Sequence, residues 1–177
     1  MNRILRFSFL AVLLLTAYGC KPDLHPGSML FLTSFTENKV TVALDLVIDA
    51  DGQAWLSATF TPSDPLFHVY SMSIPRDGVD GLGRPTLLEL GPDSQMMATG
   101  PLKESVAATD ADIDGLPTYP PGPVTLSLPV TLPPGDGWVK DSVSVTYMSC
   151  GYGVCLPPVI GAIVPIRVPG ADAIKNP

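Results

Sequence analysis

From Val40 onward the chain alternates at period two: Val40, Val42, Leu44, Leu46 and Ile48 fall on one face, with Thr41, Ala43 and Asp45 between them. That spacing predicts a strand with one face in a core, ended by the turn residues Asp49-Ala-Asp-Gly52. Ala54, Leu56, Ala58 and Phe60 repeat the pattern beyond the turn and predict its partner. Further short strands are expected near Phe67–Ser71, Thr86–Leu90 and Val124–Leu132. Val143, Val145 and Tyr147 then share a face, and Ile160, Ala162, Val164, Ile166 and Val168 stay in step, which predicts two more. Seven or more short strands and no helical period argue for an all-β sandwich. Between Gly91 and Pro123 the alternation fails. Its run Asp110-Ala-Asp-Ile-Asp114-Gly-Leu-Pro-Thr-Tyr119-Pro-Pro carries acids and prolines that oppose ladder pairing, so the stretch reads as one long loop. Long loops in compact domains are commonly functional.

The chain has 177 residues, room for one domain and one core, and its 46% hydrophobic residues suffice to fill that core. Twenty prolines and 16 glycines without a collagen period fit many turns between short strands. The first 19 residues hold Arg3, Arg6 and no acid, followed by an apolar run from Phe7 to Ala17 that is too short to span a bilayer. This is the layout of a bacterial export signal. It ends in Ala17-Tyr18-Gly19-Cys20, which looks like a lipobox, so Cys20 is expected to become the lipidated first residue of the mature chain. The alternative is ordinary cleavage before Cys20, leaving a free thiol in an oxidising compartment. Lys21 after it permits sorting to the outer membrane. The expected organisation is therefore a signal peptide at 1–19, a tether at 20–29, a sandwich domain at 30–170 and a tail at 171–177, lipid-anchored in the cell envelope and facing the periplasm. With 17 acidic residues against 10 basic ones, two of which leave with the signal, no nucleic-acid partner is expected.

Chemistry concentrates in Tyr147-Met-Ser-Cys150-Gly-Tyr-Gly-Val-Cys155-Leu-Pro-Pro158. Two strands flank the cysteines, and a four-residue connection holding Gly151 and Gly153 suits a hairpin. Residues closing such a loop face each other at a Cα separation of roughly 4.5–5.5 Å, about what a disulfide needs. The pair is either redox-active or a permanent clasp. No Lys or Arg lies between Lys140 and Arg167 to favour a thiolate, so reactivity would come from exposure, loop strain or the partner's own thiolate. Two thiolates also suit a soft metal such as copper(I). A full zinc site needs more Cys or His than His25 and His68 supply, and no metal or other cofactor is expected. Trp55 and Trp138 read as packing residues. No motif for hydrolysis or nucleotide chemistry is present.

The cysteine motif resembles the N-terminal periplasmic domain of the DsbD-type thiol:disulfide interchange proteins. There, Tyr-x-x-Cys and Cys-x-Pro-Pro lie on a hairpin of an immunoglobulin-like sandwich. Phe67-His-Val-Tyr70, Gly83-Arg-Pro-Thr-Leu87 and Val124-Thr-Leu-Ser-Leu-Pro-Val130 resemble further pieces of the family in the same order. The resemblance implies that Cys155 exchanges with partners and Cys150 resolves, with His68 and Tyr70 orienting or shielding the sulfurs. It implies a cap loop whose tip falls near Ile113–Tyr119, making Ile113, Leu116 and Tyr119 candidates for the shield. The family's full-length members continue into a membrane domain and a thioredoxin-like domain. A chain ending at Pro177 is then expected to take electrons from a separate membrane thiol reductase and pass them to a periplasmic thioredoxin-like protein. The competing expectation is a non-enzymatic envelope lipoprotein in which the disulfide staples an immunoglobulin-like binding domain.

Overall fold

The structure is a computed structural model and describes residues 24–109 and 116–174. The alternating run becomes β2 (Val40–Ile48), with Val40, Val42, Leu44, Leu46 and Ile48 all fully buried. It pairs with β3 (Ala54–Pro62) across the 49–53 turn, where the Asp49 carboxylate accepts the N–H groups of Asp51 and Gln53 and the Trp55 indole N–H. Those three donors favour the ionised carboxylate and hold the Asp49 pKa below the ordinary value. On the other side of β3 lies β8 (Val124–Thr131), and beyond β2 lies β1 (Met29–Glu37). The second layer is β12 (Val159–Pro169), β9 (Trp138–Tyr147) and β5 (Leu87–Leu90). All the ladders are antiparallel. Val143, Val145 and Tyr147 of β9 meet the inward faces of β2, β3 and β8, with the Tyr147 ring edge-on to Phe60 at 5.6 Å and its hydroxyl donating to the Glu37 carbonyl. The fold is an all-β, immunoglobulin-like sandwich carrying a disulfide hairpin.

The structure departs from the alternation pattern in four places. β1 falls where no strand is expected. A bulge between Phe31 and Thr33 breaks its period, and as an edge strand it presents Met29 and Phe31 to solvent while Leu30, Leu32 and Phe35 face the core. The stretch 91–123 is not one loop: β6 (Met97–Ala98) and β7 (Lys103–Glu104) add to the free edge of β8. Two-residue strands are too short to show a period. Ile160 is exposed rather than in step with Ala162, because β12 bulges between Val159 and Ala162 at Gly161 (φ 58°), which puts Val159 inward and Ile160 outward. Finally, packing continues past both expected domain edges. Leu24 is buried and bridges Ile174, and Gly27 and Ser28 hydrogen-bond to Ile48, so residues 24–29 and 171–174 lie against the sandwich. The signal segment and Cys20 lie outside the described residues.

Candidate functional site

β9 stops at Tyr147, and after Met148 the chain resumes as β10 (Ser149–Gly151). Its return partner β11 (Val154–Cys155) is separated from β12 by Leu156-Pro157-Pro158. The prolines have no N–H to continue the β9–β12 ladder, so the tip of this long hairpin is free to change sheets. It pairs instead with β4 (Phe67–Val69), with Ser149 opposite Val69, Cys150 opposite His68 and Gly151 opposite Phe67. The approach is close: a Cβ on Gly151 would lie 2.6 Å from the Leu66 carbonyl oxygen and 2.8 Å from the Phe67 ring. Only glycine fits there.

The tip is tighter than a four-residue loop. Gly151 pairs with Val154, leaving Tyr152 and Gly153 as the turn, both at positive φ (54° and 72°) as a two-residue hairpin with the right twist requires. Tyr152 is an uncommon residue for that conformation. Its ring packs edge-on to Phe67 at 5.8 Å and its hydroxyl donates to Asp64, which also accepts the Leu66 N–H and so braces the corner leading into β4. Asn38, in the β1–β2 turn, donates to the Pro157 carbonyl from the other side.

Cys150 and Cys155 are cross-strand partners with Cα atoms 4.1 Å apart, joined by a disulfide. The two sulfurs differ in environment. Cys150 is 4% exposed and belongs to a small core with Tyr70, Ile74 and Leu116, whereas Cys155 is exposed. The Tyr70 hydroxyl donates to Cys150 Sγ at 3.0 Å and lies 3.7 Å from Cys155 Sγ. Its backbone is pinned by the Thr86 hydroxyl and by bridges to Pro85 and Thr118, and its ring stands edge-on to His68 at 5.4 Å. Burial raises the Tyr70 pKa, so the phenol stays protonated and remains a donor. Burial lowers the His68 pKa, so its imidazole is neutral near pH 7.

The disulfide floors an open cleft of about 380 Å³ walled by His68, Tyr70, Leu116 and Thr118 and rimmed by Leu66, Tyr152 and Val154. No lining residue carries a formal charge at neutral pH. The three rim residues are between 59% and 65% exposed, an apolar surface around the disulfide. The structure thus brings Cys150, Cys155, His68, Tyr70 and Leu116 together. It does not bring Tyr119: that ring is buried in the main core, where its hydroxyl donates to Glu104 and accepts the Met72 N–H, while its chain neighbour Thr118 lines the cleft. Ile113 lies outside the described residues. Leu116 covers the buried sulfur of Cys150, and among the described residues nothing covers Cys155. The rim was not anticipated from sequence, although Tyr152 and Val154 are large apolar residues at a hairpin tip, where polar ones are usual.

No family model and no curated protein matches the chain. Among solved structures, the reduced N-terminal domain of DsbD from Neisseria meningitidis is similar over 79% of this chain and 85% of that one, at 15% identity with a TM-score of 0.44. Neither number carries a residue role or an activity across.

Proposed function

We propose that this chain is a thiol–disulfide interchange module of the bacterial periplasm, related to the DsbD N-terminal domains and working through Cys150 and Cys155. The observation that carries the reading is the asymmetry of the disulfide. One sulfur is buried and hydrogen-bonded, the other is open to a cleft with an apolar rim. A staple needs neither an accessible sulfur nor a rim.

In the reducing direction a partner thiolate attacks Cys155 Sγ, the sulfur it can reach. A partner–Cys155 bond forms, the Cys150–Cys155 bond breaks, and the electron pair leaves on Cys150, facing the Tyr70 hydroxyl. The partner's second thiolate then attacks its own sulfur in the mixed disulfide and releases Cys155 as thiolate, so one partner dithiol becomes a disulfide and this pair becomes a dithiol. In the forward direction Cys155 thiolate attacks an acceptor disulfide and Cys150 resolves the adduct. Leu66, Tyr152 and Val154 supply the apolar contact that holds either partner. The donor is a separate thiol reductase of the membrane and the acceptor a thioredoxin-like protein. Cys20 carries lipid and holds the module in the envelope.

Two measurements test this. Cys150→Ser should accumulate mixed disulfides with partner proteins on non-reducing gels after acid trapping in the native host, and Cys155→Ser should not. The wild-type pair should equilibrate with glutathione at a potential above about −300 mV, the region below which structural disulfides lie. Absence of adducts in both variants together with a potential below that value assigns the disulfide to a staple.

A further inference from the structure

The sandwich has two ends, and the chain's chemistry is divided between them. At one end sit the β1–β2 turn, the β3–β4 corner and the disulfide hairpin, tied together by Asn38 to Pro157, by the Ser63 N–H to the Lys39 carbonyl, and by the Lys39 ammonium over the Phe67 ring. At the other end sit the 49–53 turn, the start of β9 and the end of β12. The N-terminal segment is fastened there, through Leu24 to Ile174 and through Gly27 and Ser28 to Ile48. β2 runs from one end to the other, and the eight steps between its nine residues, at ~3.3 Å each, make the separation about 26 Å or more.

Only four residue steps join Cys20 to Leu24, a leash of at most about 14 Å. A lipid on Cys20 therefore reaches the end where Leu24 is fastened and falls short of the disulfide. Strand register places three exposed apolar residues around that same end: Met29 opposite Val47, Met97 opposite Thr131 and Trp138 opposite Pro169. The Arg167 guanidinium lies over the Trp138 ring. An aromatic ring with a cation beside it suits the headgroup layer of a bilayer. Asp49, Asp51 and Asp172 share this end and would be repelled by anionic lipid, so the surface fits zwitterionic headgroups.

Resting on the lipidation of Cys20 proposed above, we infer that this end of the sandwich sits against a zwitterionic bilayer and that the disulfide cleft points away from it. The cleft then meets partners that stand in the aqueous space, such as a soluble protein or a domain projecting from the facing membrane. A thiol site lying in the plane of the same bilayer is out of reach.

The test uses the lipoprotein matured in its bacterial host, its N-terminal mass determined, reconstituted into phosphatidylcholine vesicles with and without brominated acyl chains. Both native tryptophans lie toward the anchor end, so Trp138 emission should fall about twofold with the brominated lipid, and Trp138→Phe should remove most of that loss. In a Trp55→Phe/Trp138→Phe background, a tryptophan introduced as Tyr152→Trp should be unquenched. Quenching of that probe to the same extent as Trp138, in protein shown to carry lipid, overturns the orientation alone. A mass without lipid on Cys20 removes the leash and overturns the inference together with the anchor. Neither result bears on the exchange chemistry, which the reduction potential reads independently.

Discussion

Replacing Tyr70 with phenylalanine keeps the ring that packs on His68 and Leu116 and removes one oxygen, the donor 3.0 Å from Cys150 Sγ. If a partner attacks Cys155, negative charge develops on Cys150 as the bond breaks, and the phenol stabilises it. A hydrogen bond to a charged acceptor contributes about 1.5–3 kcal/mol. In thiol–disulfide exchange the dependence on sulfur basicity is about half of the full charge change, so about 0.7–1.5 kcal/mol of this appears in the barrier. That corresponds to a rate of reduction roughly three- to tenfold slower in the variant. The assay is pseudo-first-order reduction of the oxidised protein by excess dithiothreitol at fixed pH, stopped by alkylation and read by mass. The reagent and its thiolate fraction are identical for both proteins, so the ratio reports the leaving sulfur. Circular dichroism and a urea midpoint confirm that the sandwich is intact. Equal rates in a folded variant, or a faster variant, would refute the role, the second because it would make Tyr70 a shield. Attack on Cys150 would also shrink the effect, since the leaving sulfur would then be Cys155, 3.7 Å from the hydroxyl.

Three further outcomes follow from the same geometry. Burial lowers the His68 pKa from its ordinary 6.5, so below that pH the unfolded chain binds more protons than the folded one; urea midpoints should be flat above pH 6.5 and fall as pH drops through the lowered value, and His68→Phe should flatten the fall. Gly151→Ala forces a Cβ onto the Leu66 carbonyl and the Phe67 ring, which should cost about 1–3 kcal/mol in a thermal or urea midpoint and speed proteolysis at the Tyr152–Val154 tip; an unchanged midpoint would show that β10 does not need its close approach to β4. Leu116→Ala removes a buried side chain over Cys150, which should cost about 2–5 kcal/mol and accelerate alkylation of the reduced Cys150 while leaving that of Cys155 nearly unchanged.

Where a strand has one face in the core and no bulge, the period-two pattern was enough. β2, β3, β8 and β9 follow their apolar positions because a register slip of one residue would turn the whole buried set to solvent. The same local reasoning reached the pairing of Cys150 with Cys155, since a short glycine-bearing connection leaves its closing residues face to face. It did not reach β1, whose bulge resets the period, or β6 and β7, which exist because β8 offers them an edge. It also put Ile160 on the wrong face, because Gly161 takes a positive φ that the apolar spacing does not record. At the site, the family resemblance already grouped His68 and Tyr70 with the cysteines. What makes one sulfur unlike the other was not readable. That depends on residues 80 positions apart meeting, Tyr70 with Cys150, and on the prolines at 157 and 158 releasing the hairpin tip to pair with β4 instead of continuing with β12. Tyr119, grouped with the site through the cap loop that the resemblance implies, turns into the main core, where its hydroxyl donates to Glu104. Local pattern determines which residues face inward. Which of them meet across the fold is decided by long-range pairing, whose partners no short window of sequence contains.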